Sequence, residues 1–191
     1  MQEQRRAVIV MGDAGVQGVY LLRIALPTAL TLTFGRFRGG RPFDLPAGDY
    51  LYVGSAMGQR GSATLAARLL RHATRSGDQP PHSIRTELAA ALDTDAATAA
   101  PQPPPTKRCR WHIDFLLDQP MVALIQVYVL RTPDRMEQPL ADWLLQEPAT
   151  DVIVPGLGAS DHPGATHLVR VTASAAWWDT LPDSALSMLF S

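Results

Sequence analysis

The chain has 191 residues, 46% of them hydrophobic and 18% charged, with a net charge of −1 and one cysteine, Cys109. That suffices for one domain with a sizeable core. It leaves no apolar run of about 18 residues for a transmembrane helix and no intrachain disulfide, in keeping with a cytoplasmic protein. The near-zero charge hides an asymmetry: residues 1–75 hold ten arginines against four acids, residues 76–110 balance four against four, and residues 111–191 hold three arginines against ten acids. A basic half beside an acidic half suits a cationic face for nucleic acid with carboxylates for a metal, and equally suits two halves that attract each other.

In chain order, the N-terminal MQEQRRAVIVMG has too short an apolar run for a secretory signal, and Ala7–Met11 reads as an edge strand or a packed tail. The following GDAGVQG lacks the spacing of a dinucleotide loop. Gly18–Leu26 is a predicted strand ended by Pro27, Leu30–Phe37 a second, and the short gap predicts a hairpin between them. Arg36, Arg38 and Arg41, with two glycines and Pro42, form a basic loop. In the third strand, residues 49–54, Tyr50, Tyr52 and Gly54 share one face and Leu51 and Val53 the other. Gly54, Gly58 and Gly61 then lead to a helix expected to start near Ser62, a favoured N-cap. On it Arg68, Arg71, His72 and Arg75 stand at i, i+3, i+4 and i+7, a cationic stripe suited to phosphate. Three sequential antiparallel strands followed by a helix define an α+β start.

Ser83–Leu92 reads as a short helix, and Asp93–Thr106, rich in Ala and Pro, as a mobile or extended linker, so residues 76–106 form an insertion within a single domain spanning 1–191. Lys107–Gln119 begins basic and turns amphipathic, and Met121–Arg131 is expected as a central strand. Pro133–Gln146 carries a helix expected from about Gln138, because Pro139 is tolerated only in a first turn. Val152–Val154 is short and apolar, Pro155–Gly164 is a loop, and His167–Thr172 is a strand. The tail SAAWWDTLPDSALSMLF is apolar enough for one or two packed helical turns.

Gly18-Val19-Tyr20 on the first strand and Tyr52-Val53-Gly54 on the third resemble the two tripeptides that name the GIY-YIG nuclease superfamily. More closely, the chain resembles a little-characterised, domain-of-unknown-function branch of it. The shared motifs are Tyr52–Ala56, Arg68–His72, Trp111–Asp114, Glu137 before a helix, and Gly156–Asp161, in that order over roughly residues 16–172 apart from the insertion. The resemblance implies a small antiparallel sheet flanked by helices, here with extra C-terminal strands. It also implies hydrolysis of a nucleic-acid phosphodiester, DNA or RNA, with one Mg²⁺ or Mn²⁺. Position by position, Tyr20 and Tyr52 match the motif tyrosines, Arg68 the helix arginine and Glu137 the metal-binding carboxylate.

Such chemistry needs a deprotonated water and neutralisation of charge building on phosphate. Tyr20 is the expected general base, its ordinary pKa near 10 lowered by a neighbouring cation, with Tyr52 orienting water or phosphate. Arg68 is expected to grip phosphate oxygens bidentately. Glu137 alone suffices for an ion that keeps most of its waters. His72 is a candidate for proton transfer or for capping its helix C-terminus. Arg36, Arg38, Arg41, Arg71 and Arg75 are expected along the nucleic acid. A second set, His112, Asp114, Asp161, His162 and His167, suits either a mixed zinc site or polar support of the cleft. Two rival classes stand beside the endonuclease: a catalytically silent nucleic-acid-binding or interaction module on the same fold, and an accessory domain that docks a repair enzyme through Arg36–Arg41.

Overall fold

A computed structural model describes residues 6–12, 15–92, 107–159 and 164–189. In chain order the strands and helices are β1 Val8–Gly12, β2 Gly18–Leu26, β3 Leu30–Thr33, β4 Pro42–Leu45, β5 Gly48–Ala56, α1 Leu65–His72, α2 Arg85–Leu92, α3 His112–Leu117, β6 Ala123–Arg131, α4 Glu137–Leu144, β7 Thr150–Asp151, β8 Leu168–Val171 and α5 Ala175–Leu189. Six strands form one mixed sheet in the order β1-β6-β2-β5-β8-β7, and β3 and β4 form a separate two-stranded sheet. The protein is therefore α+β.

The antiparallel heart is β6-β2-β5, nine residues each, with β1 added parallel to β6 at one edge and β8 antiparallel to β5 towards the other. The hairpin expected between β2 and the next strand does not form. Both edges of β2 are taken by long apolar partners, and the four-residue β3, whose side chains are half-buried or exposed, pairs with β4. A longer ladder that is buried on both faces outcompetes a short local one.

Alternation splits the sheet's side chains between two cores. Tyr20, Leu22, Ile24, Tyr50, Tyr52, Val127 and Val129 pack under α1, α2, α3 and the small sheet. Val19, Leu21, Leu51, Val53, Tyr128 and Leu130 pack under α4 and α5. The tail is one helix of 15 residues, because Trp178, Leu181 and Ala185 supply a buried stripe for that second face; Pro182 lies inside it. The insertion holds α2, and His82 and Leu88 within it are buried, so its first half belongs to the core; residues 93–106 lie outside the described residues. No helix among the described residues is long and apolar enough to cross a membrane.

Candidate functional site

The candidate site sits where β2, β5, α1 and α3 meet. Tyr20 lies directly opposite Gly54 on the neighbouring strand. Gly54 is required there: a Cβ would stand 2.6 Å from the Tyr20 Cζ and hydroxyl, so the missing side chain is the space the phenol ring fills. Tyr20 and Tyr52 share the sheet face, with ring centroids 6.4 Å apart.

Helix α1 begins two residues later than expected. Thr64, not Ser62, is its N-cap, accepting from the Ala67 amide at 3.4 Å, because Gly61–Ala63 is spent on a short 3-10 turn. Leu65, Leu69 and Leu70 anchor the helix in the core, which turns His72 inwards to its last helical position. There the His72 Nε2 lies 2.9 Å from the Tyr20 hydroxyl, and the imidazole packs within 6.2 Å of the Tyr52 ring and 6.1 Å of Trp111. The helix C-terminal capping role for His72 is thus replaced by a buried contact.

Beyond His72 stands Asp114, fully buried in the first turn of α3. Its Oδ2 accepts from the Arg110 and Trp111 amides at 2.9 and 3.2 Å and from Arg71 at 3.0 Å. Its Oδ1 faces the His72 Nδ1 at 3.6 Å and the Lys107 ammonium at 3.7 Å. Burial pushes the Asp114 carboxyl up, but His72, the Arg110 amide and Lys107 outweigh it and hold the group well below the usual carboxylate range. Burial pulls His72 below its ordinary value against the opposing pull of Asp114, with Lys107 and Arg68 adding to the depression. Burial, then Tyr52, with Glu137 and Asp114, push Tyr20 well above the usual phenol value, and Arg68 opposes them. Arg68 lowers Tyr20 as expected of a nearby cation, but desolvation of the buried phenol outweighs it.

Arg68 acts electrostatically on both Tyr20 and His72 and lies 4.6 Å from the centre of the Trp111 ring. Arg71 and Arg110 approach the same indole at 5.2 and 5.5 Å. The Nε atoms of Arg68 and Arg71 are buried without a hydrogen-bond partner. Arg75, expected on the same stripe, is turned away. Its guanidinium donates to the Pro80 and Val122 carbonyls at 2.9 and 2.5 Å, tying the insertion to the residue just ahead of β6; a guanidinium spent on carbonyls in this way does not face a polyanion. Arg36, Arg38 and Arg41 are exposed on the turn between β3 and β4. Arg38 donates to the Pro155 carbonyl at 2.7 Å, and Arg41 stacks on Phe43.

Glu137 opens α4, on the second core's side of the sheet. It accepts a short hydrogen bond from the Ser55 hydroxyl, and its Oε1 lies 3.2 Å from the His167 Nδ1. Its charge reaches Tyr20, while its side chain stays 24% exposed. The second set of ligand-type residues is dispersed. His112 accepts from the Gly158 amide at 3.2 Å and packs on Phe37, Asp114 is locked under cations, and His167 faces Glu137; Asp161 and His162 lie outside the described residues. Among the described residues no three His, Cys, Asp or Glu side chains gather as a metal cluster. Sequence reasoning missed Ser55, Lys107, Arg110 and the Trp111 ring. The Trp-His-Ile-Asp segment was the visible signal for the last of these.

Fold and site together define an α+β protein whose mixed sheet carries a buried tyrosine–histidine–aspartate line beside a cluster of arginines on one tryptophan. Residues 19–187 match the model of DUF123, described as a domain of unknown function, and the chain belongs to that family. No curated protein and no solved structure matches it.

Proposed function

We propose that this protein is a GIY-YIG-like endonuclease that hydrolyses nucleic-acid phosphodiesters with the help of a divalent cation. The observation that carries the reading is the meeting of Tyr20, Tyr52, His72 and Arg68, from three separate elements, at the end of the sheet where Glu137 also acts on Tyr20. Tyr20 receives the proton of the attacking water, Tyr52 orients it, and Arg68 grips the phosphate oxygens as their charge grows. Arg71 and Arg110 on Trp111, with Arg36, Arg38 and Arg41, line the path of the flanking phosphates.

Glu137 fits a hard, hydrated cation, and among the described residues, which leave out Asp161 and His162, no zinc-type cluster gathers. Glu137 offers one partly open carboxylate, whereas zinc wants three or four nitrogen, sulfur or oxygen ligands from the protein. Glu137 would hold Mg²⁺ or Mn²⁺, with Ser55 fixing the carboxylate and His167 behind it; the ion supplies positive charge beside the phosphate.

The test is cleavage of branched, nicked and single-stranded DNA and RNA by purified protein with Mg²⁺ or Mn²⁺. Tyr20→Phe and Glu137→Ala are expected to abolish cleavage with the fold intact. Undiminished activity in both variants overturns the assigned roles, and no cleavage of any substrate overturns the enzyme reading. The second reading is a catalytically silent nucleic-acid-binding or interaction module, favoured by the engagement of Glu137 with Ser55 and His167. It predicts salt-dependent binding without turnover.

A further inference from the structure

We infer that Asp114 is a positioning residue that fixes the tautomer of His72, and that His72 is thereby the resting acceptor for the Tyr20 proton. The inference deepens the endonuclease reading and rests on it for its catalytic part only.

Three buried groups stand in a line. Tyr20 is 2% exposed, His72 1% and Asp114 0%. The Tyr20 hydroxyl and the His72 Nε2 are 2.9 Å apart, and on the far side of the ring Nδ1 faces the Asp114 Oδ1 at 3.6 Å. That second approach is longer than a hydrogen bond, and neither atom has another hydrogen-bond partner. A neutral imidazole carries its proton on one nitrogen only. With a carboxylate facing Nδ1, the proton belongs there. Placing it on Nε2 would turn a bare lone pair towards a buried anion. Nε2 is then the acceptor, and the Tyr20 hydroxyl must donate.

The surrounding charges keep this arrangement in one state. Asp114 is held ionised by two backbone amides, Arg71 and Lys107. Arg68 on α1 and Lys107 ahead of α3 oppose a charged imidazole, while Asp114 favours it. From the sheet the ring packs against the phenols Tyr20 and Tyr52, with Tyr20 held well above the usual phenol value, and burial leaves His72 neutral at rest and able to accept one proton.

This resolves how a phenol held above its ordinary pKa serves as a base. The oxygen of water forms its bond to phosphorus while one phosphorus–oxygen ester bond breaks. The water proton passes to the Tyr20 oxygen as the phenol's own proton passes to the His72 Nε2. Tyr20 ends as it began, and the imidazolium faces Asp114. The leaving oxygen takes a proton from solvent, and His72 returns its proton to solvent after product leaves. No free tyrosinate is formed.

The experiment is nitrogen-15 NMR of the ring nitrogens of His72 at about pH 8, above the ordinary histidine pKa of about 6.5. Wild-type protein is expected to show the Nδ1–H tautomer. Tyr20→Phe, which removes only the hydroxyl, is expected to keep it. Asp114→Asn is expected to lose the Nδ1–H preference and to lower the cleavage rate about 10²- to 10⁴-fold, with substrate affinity nearly unchanged. An Nε2–H tautomer in wild type, or a flip caused by Tyr20→Phe, overturns the inference. So does an unchanged tautomer in folded Asp114→Asn. Because the tautomer is read without substrate, a protein with the expected tautomer and no cleavage would sink the endonuclease reading alone.

Discussion

Gly54→Ala tests the site at its tightest point. The backbone at Gly54 is not among the positive-φ glycines, so alanine meets no conformational penalty and the effect is purely steric. Its Cβ would lie 2.6 Å from the Tyr20 hydroxyl and Cζ and 2.7 Å from Cε2. Ordinary carbon contact lies near 3.5 Å, so the ring must give way by roughly 0.8–0.9 Å. It has little room to do so, being buried against Tyr52 and His72 at centroid separations of 6.4 and 5.7 Å. Overpacking of this kind destabilises by about 1–3 kcal/mol. A ring displaced that far also spoils the 2.9 Å hydroxyl–imidazole approach, whether by stretching it beyond reach or by pressing the two groups together. Urea unfolding should show the loss of stability, and the cleavage assay should show a loss of rate larger than the loss of folded protein explains. A Gly54→Ala protein with wild-type midpoint and wild-type rate would refute the claim that the glycine exists to seat Tyr20.

Three further predictions concern His82, Arg68 and Arg75. His82 is buried, its Nε2–H directed to the Leu117 carbonyl at 2.9 Å and its Nδ1 accepting from the Leu124 amide at 3.1 Å, and burial first, then Arg75, lower its pKa to about 4. The unfolded chain therefore binds the proton more readily. Its contribution is fully present above about pH 6.5, is lost as pH falls from there towards about 4, and amounts to about 3 kcal/mol at most. Urea midpoints across that window should fall less in His82→Gln than in wild type. Arg68→Ala should weaken nucleic-acid binding and lower the slope of log affinity against log salt by about one, measured by fluorescence anisotropy. Arg75→Ala should leave that slope unchanged and lower stability instead, since its guanidinium is spent on the Pro80 and Val122 carbonyls.

Most elements are legible in the chain. The β-type runs of β2 and β6, the alternation in β5, the helical spacing of Leu65, Leu69 and Ala73, and the short helix α2 follow from residue type and period alone. Local pattern fails where partners are chosen. The hairpin expected after β2 is reasonable from spacing, yet β2 pairs with strands whose register partners lie up to 113 positions away, Gly18 opposite Arg131. The tail reads as one or two turns because apolar side chains without a visible partner look like short packing; the second sheet face supplies the partner and makes one long helix.

The same division runs through the site. Sequence alone determined which residue types are present, that Tyr20 and Tyr52 point to one side of their strands, and that Arg68, Arg71 and His72 share a helix face, because these follow from the two- and 3.6-residue repeats of the backbone. Tertiary structure alone decided that His72 turns inwards while Arg75 is pinned to carbonyls, that Asp114 closes the line behind the imidazole, and that Tyr20 is raised and not lowered in pKa. Those outcomes depend on burial and on polar groups brought together across 52 and 42 positions of chain, between Tyr20 and His72 and between His72 and Asp114. Desolvation is a property of what surrounds a group, and no stretch of sequence carries its surroundings with it.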